Sequence, residues 1–440
     1  MKKLSISFLY LTLLLAGSLT FGLAQDPRPV FQGQGPSEQV DTKSRQITFQ
    51  VRRAYEFAED GVGFSNQFPG ARLNSIERTG PLAYTIHIEP ENAPINMSPW
   101  YAFKIWADTG KEINVRLSYP EYARHRYDPQ ISNDGRKWKL LEKARITEIG
   151  KDPASTDPTS RPLSVILKLR VGKGPTWVSA QELQNSWLVN EWMERITKKR
   201  KLGLSELGKS KEGRAIKMLT IGRPESQKMM LVISRQHPPE VTGYFAMQSF
   251  VETIAGDSNL AKNFRKDWTV YVVPLMNPDG VDQGHWRHNL GGIDLNRDWT
   301  LFNQPEDKLV SEFLKRREIE TDGKFYFGID FHSTWDDIYY PMARGIDGNM
   351  PGLVFDWLSA IKKAIPGYDP NIRPSDRLLP AIVSRNYFLA SHGMEALVFE
   401  IGDNTPRDFI RKKGRVGAEE LMKLLMARSP KTAGVPTSVQ

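Results

Sequence analysis

The run KMMLVI at 228–233 is apolar throughout after its first lysine. A half-buried strand alternates and a surface helix repeats every three or four residues. An unbroken apolar run this short marks a strand covered on both faces. The pattern returns at 268–276 (WTVYVVPLM), 324–331 (KFYFGIDF) and 395–402 (EALVFEIG), and in a mixed form at 216–222 (IKMLTIG). Helical spacing fills the intervals at 241–254, 307–319, 352–365 and 417–428, with Phe245, Met247, Phe250, Val251 and Ile254 as one apolar face. Strands alternating with helices give an α/β fold, a mixed twisted sheet flanked by helices on both sides.

The preceding segment has a different texture. Short runs with partial alternation, separated by turn residues such as Asn133-Asp134-Gly135, fill 46–175 and predict an all-β sandwich domain. The α/β domain then spans 176–428 and opens with a helix from about 179, for which Ser179 and Glu182 have capping-box spacing. Residues 25–45 read as a linker rich in Gln, Pro, Gly and Ser, and 429–440 as a flexible tail.

Residues 1–24 carry two lysines, an apolar core and a small residue at Ala24, the pattern of a cleaved signal peptide. The expectation is an exported chain, periplasmic or secreted, with no stable membrane insertion after cleavage. The sequence has no cysteine, so disulfides and thiolate metal ligands are excluded. Net charge is +9 with scattered basic residues. The one dense run, KKRK at 198–201, reads as a solvated helix end, and no nucleic-acid partner is expected.

Chemistry-bearing residues cluster where the apolar runs stop. The 228–233 run leads into SRQHPPE with His237 and Glu240, the 324–331 run ends at His332, and the last run contains Glu400. Prolines cannot continue a sheet ladder, so the first strand is expected to end near His237. Between these lie NPDG (277–280), Arg287 in HWRHN, and Asp294, Asn296 and Arg297 in DLNRDW. In a largely parallel sheet the carboxyl ends of the strands share one edge, which is where ligands bind. Two imidazoles and one carboxylate can hold Zn²⁺ and leave a fourth position open. Glu400 is then the acid available as general base. Asp330, on the same face of its strand as His332, and Asp294 are candidates to orient a ligand histidine.

This ordered set resembles the M14 zinc metallocarboxypeptidases, with the β-rich segment similar to that of the cytosolic carboxypeptidase-like branch and its bacterial relatives. The resemblance covers about 200–425, beginning with the entry segment at 207–222. It implies one Zn²⁺ held by His237, Glu240 and His332, Glu400 as catalytic base and Arg287 polarising the scissile carbonyl. It further implies Asn296 and Arg297 gripping the C-terminal carboxylate of a peptide or protein. Pro239 stands where many members have an arginine. Tyr387 is the nearest tyrosine to the family's substrate-contacting one, with a packed helix position as its other reading. The side-chain pocket is expected between His332 and Glu400, where Arg344, Arg373 and Arg377 would suit acidic residues and Asp336, Asp337 and Asp347 basic ones. A deacylase or amidase on the same fold and a non-catalytic binding protein are the alternatives.

Overall fold

The structure, a computed structural model, describes residues 40–151 and 160–428. The leader, most of the linker, residues 152–159 and the tail lie outside the described residues.

Short strands come first: β1 (Ala54–Phe57), β2 (Val62–Ser65), β3 (Ser75–Gly80), β4 (Ala83–His87), β5 (Ala102–Ala107) and β6 (Lys111–Ser118). They continue as β7 (Gln130–Ser132), β8 (Lys139–Leu140), β9 (Ile146–Ile149), β10 (Ser164–Val171) and β11 (Thr176–Ser179). They form a six-stranded sheet, β1-β2-β5-β11-β7-β8, and a five-stranded one, β3-β4-β6-β10-β9. In β6 the apolar Ile113, Val115 and Leu117 are buried while Glu112, Asn114 and Arg116 face out, the period-two pattern of a strand covered on one side. Phe64, Phe103 and Ile105 of one sheet meet Tyr84, Val115 and Leu167 of the other in a single core, giving the expected sandwich.

One boundary is corrected. Ser179 is not a helix cap: it ends β11, which pairs with β5 and β7, so the β-rich segment runs on past 175. The first helix, α1 (Ser186–Arg200), begins later, where the Asn185 side chain accepts from Leu188 N. The local capping signal at Ser179 loses to strand pairing, which buries Val178 completely.

The second part comprises β12 (Gly203–Lys209), β13 (Ala215–Gly222), β14 (Lys228–Ser234), α2 (Val241–Ile254), α3 (Asn259–Asp267), β15 (Trp268–Val273) and α4 (Pro278–Gln283). It goes on through α5 (Pro305–Thr321), β16 (Lys324–Thr334), β17 (Ile338–Pro341), α6 (Leu353–Ala364), α7 (Ser384–His392), β18 (Glu395–Gly402) and α8 (Arg407–Ala427). The sheet order is β12-β13-β15-β14-β16-β18-β17. The central four strands are parallel and the outer ones antiparallel. Met230 and Val232 of β14 pack under α2, α6 and α8, while Met229, Leu231 and Ile233 face α5 and α7. Burial on both sides is why this strand has no polar alternation. In NPDG, Asn277 caps α4 by accepting from Gly280 N at 2.9 Å.

The two parts share a core. Val241 and Trp286 of the α/β part pack among the sandwich residues, and Arg52 donates to Asp282 O at 2.7 Å.

Candidate metal centre

The β14 strand ends at Ser234, three residues before His237. Arg235 then adopts a left-handed backbone (φ 56°), and its guanidinium donates to Pro238 O at 2.6 Å. That turn swings His237 back over the sheet edge, and Glu240 lies immediately before the first residue of α2. The start of α2 sits against β16. At Gly243 a β-carbon would lie 2.3 Å from His332 O, so only glycine permits this approach. Parallel pairing of β16 and β18 sets His332 directly opposite Glu400.

These placements bring together three groups distant in the chain. His237 Nδ1 lies 2.8 Å from Glu240 Oε1, and His332 Nδ1 lies 2.7 Å from Glu240 Oε2. The two Nδ1 atoms are 3.1 Å apart. Among the described residues this is the group whose ligand atoms lie close enough to share one ion, and all three residues are buried. A tetrahedral zinc with bonds of ~2.0–2.1 Å spans donor pairs about 3.3 Å apart, so the spacing fits. The outer nitrogens each lie beside a carboxylate. His237 Nε2 donates to Asp294 Oδ1 at 2.8 Å, and His332 Nε2 lies 2.7 Å from Asp330 Oδ2. A proton held on His237 Nε2 leaves its Nδ1 lone pair turned inward, as a metal ligand requires; His332 Nε2 sits beside the Asp330 carboxylate without a directed hydrogen bond among the described residues.

Asp294 does more than orient His237. Its Oδ1 also accepts from Asn296 N at 2.9 Å, and its Oδ2 accepts from Arg287 Nε at 2.8 Å. Burial alone would raise its pKa; Arg287, His237 and Arg297 hold its carboxyl well below the usual range instead. Glu400 goes the other way. Burial, reinforced by the nearby Glu240 carboxylate, pushes its carboxyl up. Its Oε2 is enclosed and has no hydrogen-bond partner among the described residues, so it is free to take a proton.

All of this faces a cavity of about 430 Å³, onto which His237, Glu240, Arg287, Asn296, Arg297, His332 and Glu400 open. Asn296 Oδ1 accepts from Ser384 N at 2.9 Å, and Arg297 donates to Asn296 O at 2.7 Å. Tyr387 is not in the cavity. It is buried between Trp299 and Phe302, with its hydroxyl 2.7 Å from Ser311 Oγ, so its packed-helix reading holds and the substrate contact is withdrawn. Tyr340, at the end of β17, lines the cavity instead.

Further cavity residues carry no motif that sequence could reveal. Arg385 donates to Tyr340 O at 3.0 Å and lines the cavity, whereas Arg344, Arg373 and Arg377 are not among its lining residues; Arg344 lies over the Phe355 ring. Asp337 is occupied by Gly402 N and Lys413, not held ready for a basic substrate. From the sandwich, Arg126 pairs with Asp403 at 2.8 Å and donates to Ser98 Oγ at 2.8 Å. Its guanidinium lies 4.6 Å from the centre of the Trp335 ring. Asn96, Met97 and Ser98 join it on that wall.

Comparison with known proteins bears on this geometry. The zinc carboxypeptidase family model, Peptidase_M14, matches residues 189–351, which include every site residue named above from His237 to His332 but not Glu400. An uncharacterized protein of Zymomonas mobilis is 33% identical over 288 residues, covering 64% of this chain and 70% of that protein. The chain belongs to the zinc carboxypeptidase family. It is a metallocarboxypeptidase-type hydrolase whose family metal is zinc. Mouse cytosolic carboxypeptidase 6 is 30% identical over 140 residues, 29% of this chain but only 26% of that protein. A metallo-carboxypeptidase from Burkholderia cenocepacia shares the fold over 83% of this chain and 99% of its own, with a TM-score of 0.68 at 18% identity. That fold match extends well beyond the α/β part alone, so the sandwich is included in the shared architecture.

Proposed function

We propose that the chain is a zinc-dependent carboxypeptidase that removes C-terminal residues from peptides or proteins, with each cavity group in a distinct role. The observation that carries this reading is the convergence of His237 Nδ1, Glu240 and His332 Nδ1 beside the unpartnered Glu400 Oε2. Zinc bound to those three residues supplies Lewis acidity, polarising a carbonyl and making water nucleophilic near neutral pH.

The chain's own groups do the rest. Glu400 Oε2 accepts the proton of the attacking water and returns it to the departing amine nitrogen, so the proton balance closes. Arg287, fixed through Nε to Asp294, faces the negative charge that develops on the carbonyl oxygen. Arg297, with Asn296, grips the terminal carboxylate, since a guanidinium fork matches a carboxylate. Arg385 adds a second, half-buried cation beside it; desolvation lowers its pKa to about 10, which leaves it charged. The crowding of Arg126, Arg287, Arg297 and Arg385 around one cavity suits an anionic chain end.

Peptides with free and amidated C-termini test this. The wild type should release single residues from the free acid only, and a chelator should stop it. Arg297→Ala should raise KM on the free acid and leave the amide as poor as before. Equal loss on both substrates, or cleavage away from the terminus, would remove the reading.

We also propose that the reaction takes place outside the cytoplasm, on the strength of the 1–24 leader pattern. Terminal sequencing of the mature protein should begin at Gln25; an intact Met1 in the cytoplasmic fraction would refute export. Among the described residues no helix is long and apolar enough to cross a membrane.

A further inference from the structure

The segment that carries Arg287 is held from outside its own domain. Glu91 lies in the sandwich, in the connection between β4 and β5, and is completely buried. Its carboxylate points at the backbone of the Arg287 segment. Oε2 accepts from Trp286 N at 2.7 Å, while Oε1 accepts from Arg287 N at 3.0 Å and from His288 N at 2.7 Å. Three consecutive backbone donors converge on one carboxylate. Asn92 continues the grip: its Oδ1 lies 2.6 Å from His288 Nδ1 and its Nδ2 donates to Gly292 O at 3.0 Å. The clamp is itself anchored, because Glu91 O accepts from Thr48 N at 2.7 Å.

The chemistry is specific to a carboxylate. A buried carboxylate without donors is costly, and three N–H donors stabilise its charge. Burial opposes that charge, yet His285, His288, Arg72 and the backbone donors hold the carboxyl at about 2. An amide could not replace it, since glutamine offers one acceptor oxygen and would turn an N–H₂ toward a backbone N–H. Arg287 is thereby pinned at both ends, its backbone N by Glu91 and its Nε by Asp294, which in turn holds His237.

We propose that Glu91 is a positioning residue for hydrolysis: from the sandwich it fixes the Trp286–Arg287–His288 backbone so that the Arg287 guanidinium meets the developing oxyanion. This rests on the carboxypeptidase reading and assigns the β-rich segment a part in it. Geometry explains the gain. An electrostatic group aimed at a developing charge contributes through its fixed placement, and a misplacement of about 1 Å can cost ~10²-fold in rate.

The test combines Glu91→Gln, Glu91→Asp, Arg287→Ala and the Gln/Ala double variant in the full chain, with zinc content measured for each. Arg287→Ala should lower kcat by roughly 10²–10³-fold, the range for loss of one oxyanion donor. Glu91→Gln should lower kcat by roughly 10–100-fold with KM and zinc content near wild type. In the Arg287→Ala background it should cost no more than about 2–3-fold further, because it acts through a group already gone. Glu91→Asp keeps the charge and should recover part of the rate; it also serves if the glutamine variant does not fold. Hydrogen exchange read on the peptide holding residues 286–288 should quicken at least about tenfold in the glutamine variant or, failing that, in the aspartate one.

Equal losses in both backgrounds, a wild-type kcat with loosened amides, or amides that stay protected would each overturn the proposal. A wild type that binds no zinc and releases no residue would instead overturn the carboxypeptidase reading and the catalytic half of this one, while amide exchange would still report whether the clamp exists.

Discussion

Asp294 joins the metal ligands to the substrate groups: one oxygen serves His237 Nε2 and Asn296 N, the other Arg287 Nε. Asp294→Asn should therefore weaken zinc by about 10–100-fold, the usual cost of losing a ligand's supporting partner. Competition against a chromogenic chelator reads this, and unchanged affinity would contradict the assigned role. Glu400→Gln should keep zinc and lose ~10²–10⁴ in kcat, the range for a general base; normal turnover would rule out Glu400. Tyr387→Phe should leave KM unchanged and cost about 1 kcal/mol of stability, for a buried hydroxyl bonded to Ser311 and His392. A large rise in KM would reinstate its substrate role. The metal ligands and Glu400 are legible in the sequence because they lie in or just after apolar strands, where the chain changes from apolar to polar; Arg287, Asp294, Asn296 and Arg297 show through the order of their short motifs. Arg126, Arg385 and Glu91 escape it: each is one charged residue in an ordinary loop or helix start, and its importance comes from a partner far away in the chain.

At the scale of elements, the central strands and α2, α6 and α8 were readable because burial on one or both faces writes a period into the chain. Short pieces were not. Thr176–Ser179 has its meaning only through pairing with β5 and β7, and α4 is too short to show a period. Two element-level consequences can be measured. Gly243→Ala would drive a methyl into His332 O, so α2 must shift and Glu240 with it. Helix propensity alone favours alanine over glycine by ~1 kcal/mol, so it opposes any loss from the substitution. The variant should nonetheless bind zinc more weakly than the wild type in a chelator competition; wild-type affinity would mean the contact yields easily. The start of α5 buries Glu306, whose carboxyl burial pushes from the usual 4.5 to about 7. The fold therefore favours its protonated form. Its contribution is complete below about pH 4.5 and is lost as pH rises through about 7. Glu306→Gln should thus gain on the wild type in thermal melts between pH 5 and pH 8, and a constant gap would refute the buried acid.

Across the whole molecule, the sandwich and the α/β part form one catalytic body. Sequence showed two textures but not that Arg126, Ser98 and Glu91 reach across between them, since no motif links residues so far apart. Val241 and Trp286 lie in the sandwich core, beside Glu240 and Arg287 respectively. Deleting residues 25–179 should expose both, strip the Arg287 segment of its clamp, and yield an aggregating or inactive protein. Full activity on short peptides from a soluble fragment would make the sandwich a mere appendage.

The central claim is that His237, Glu240 and His332 share one zinc ion. Diffraction from zinc-replete crystals at wavelengths on either side of the zinc absorption edge tests it most directly. The account predicts one anomalous peak per chain, bonded at ~2.0–2.2 Å to both Nδ1 atoms and to the Glu240 carboxylate. Absence of a peak at this triad, or a peak bound by other residues while these three stay paired with one another, would contradict it.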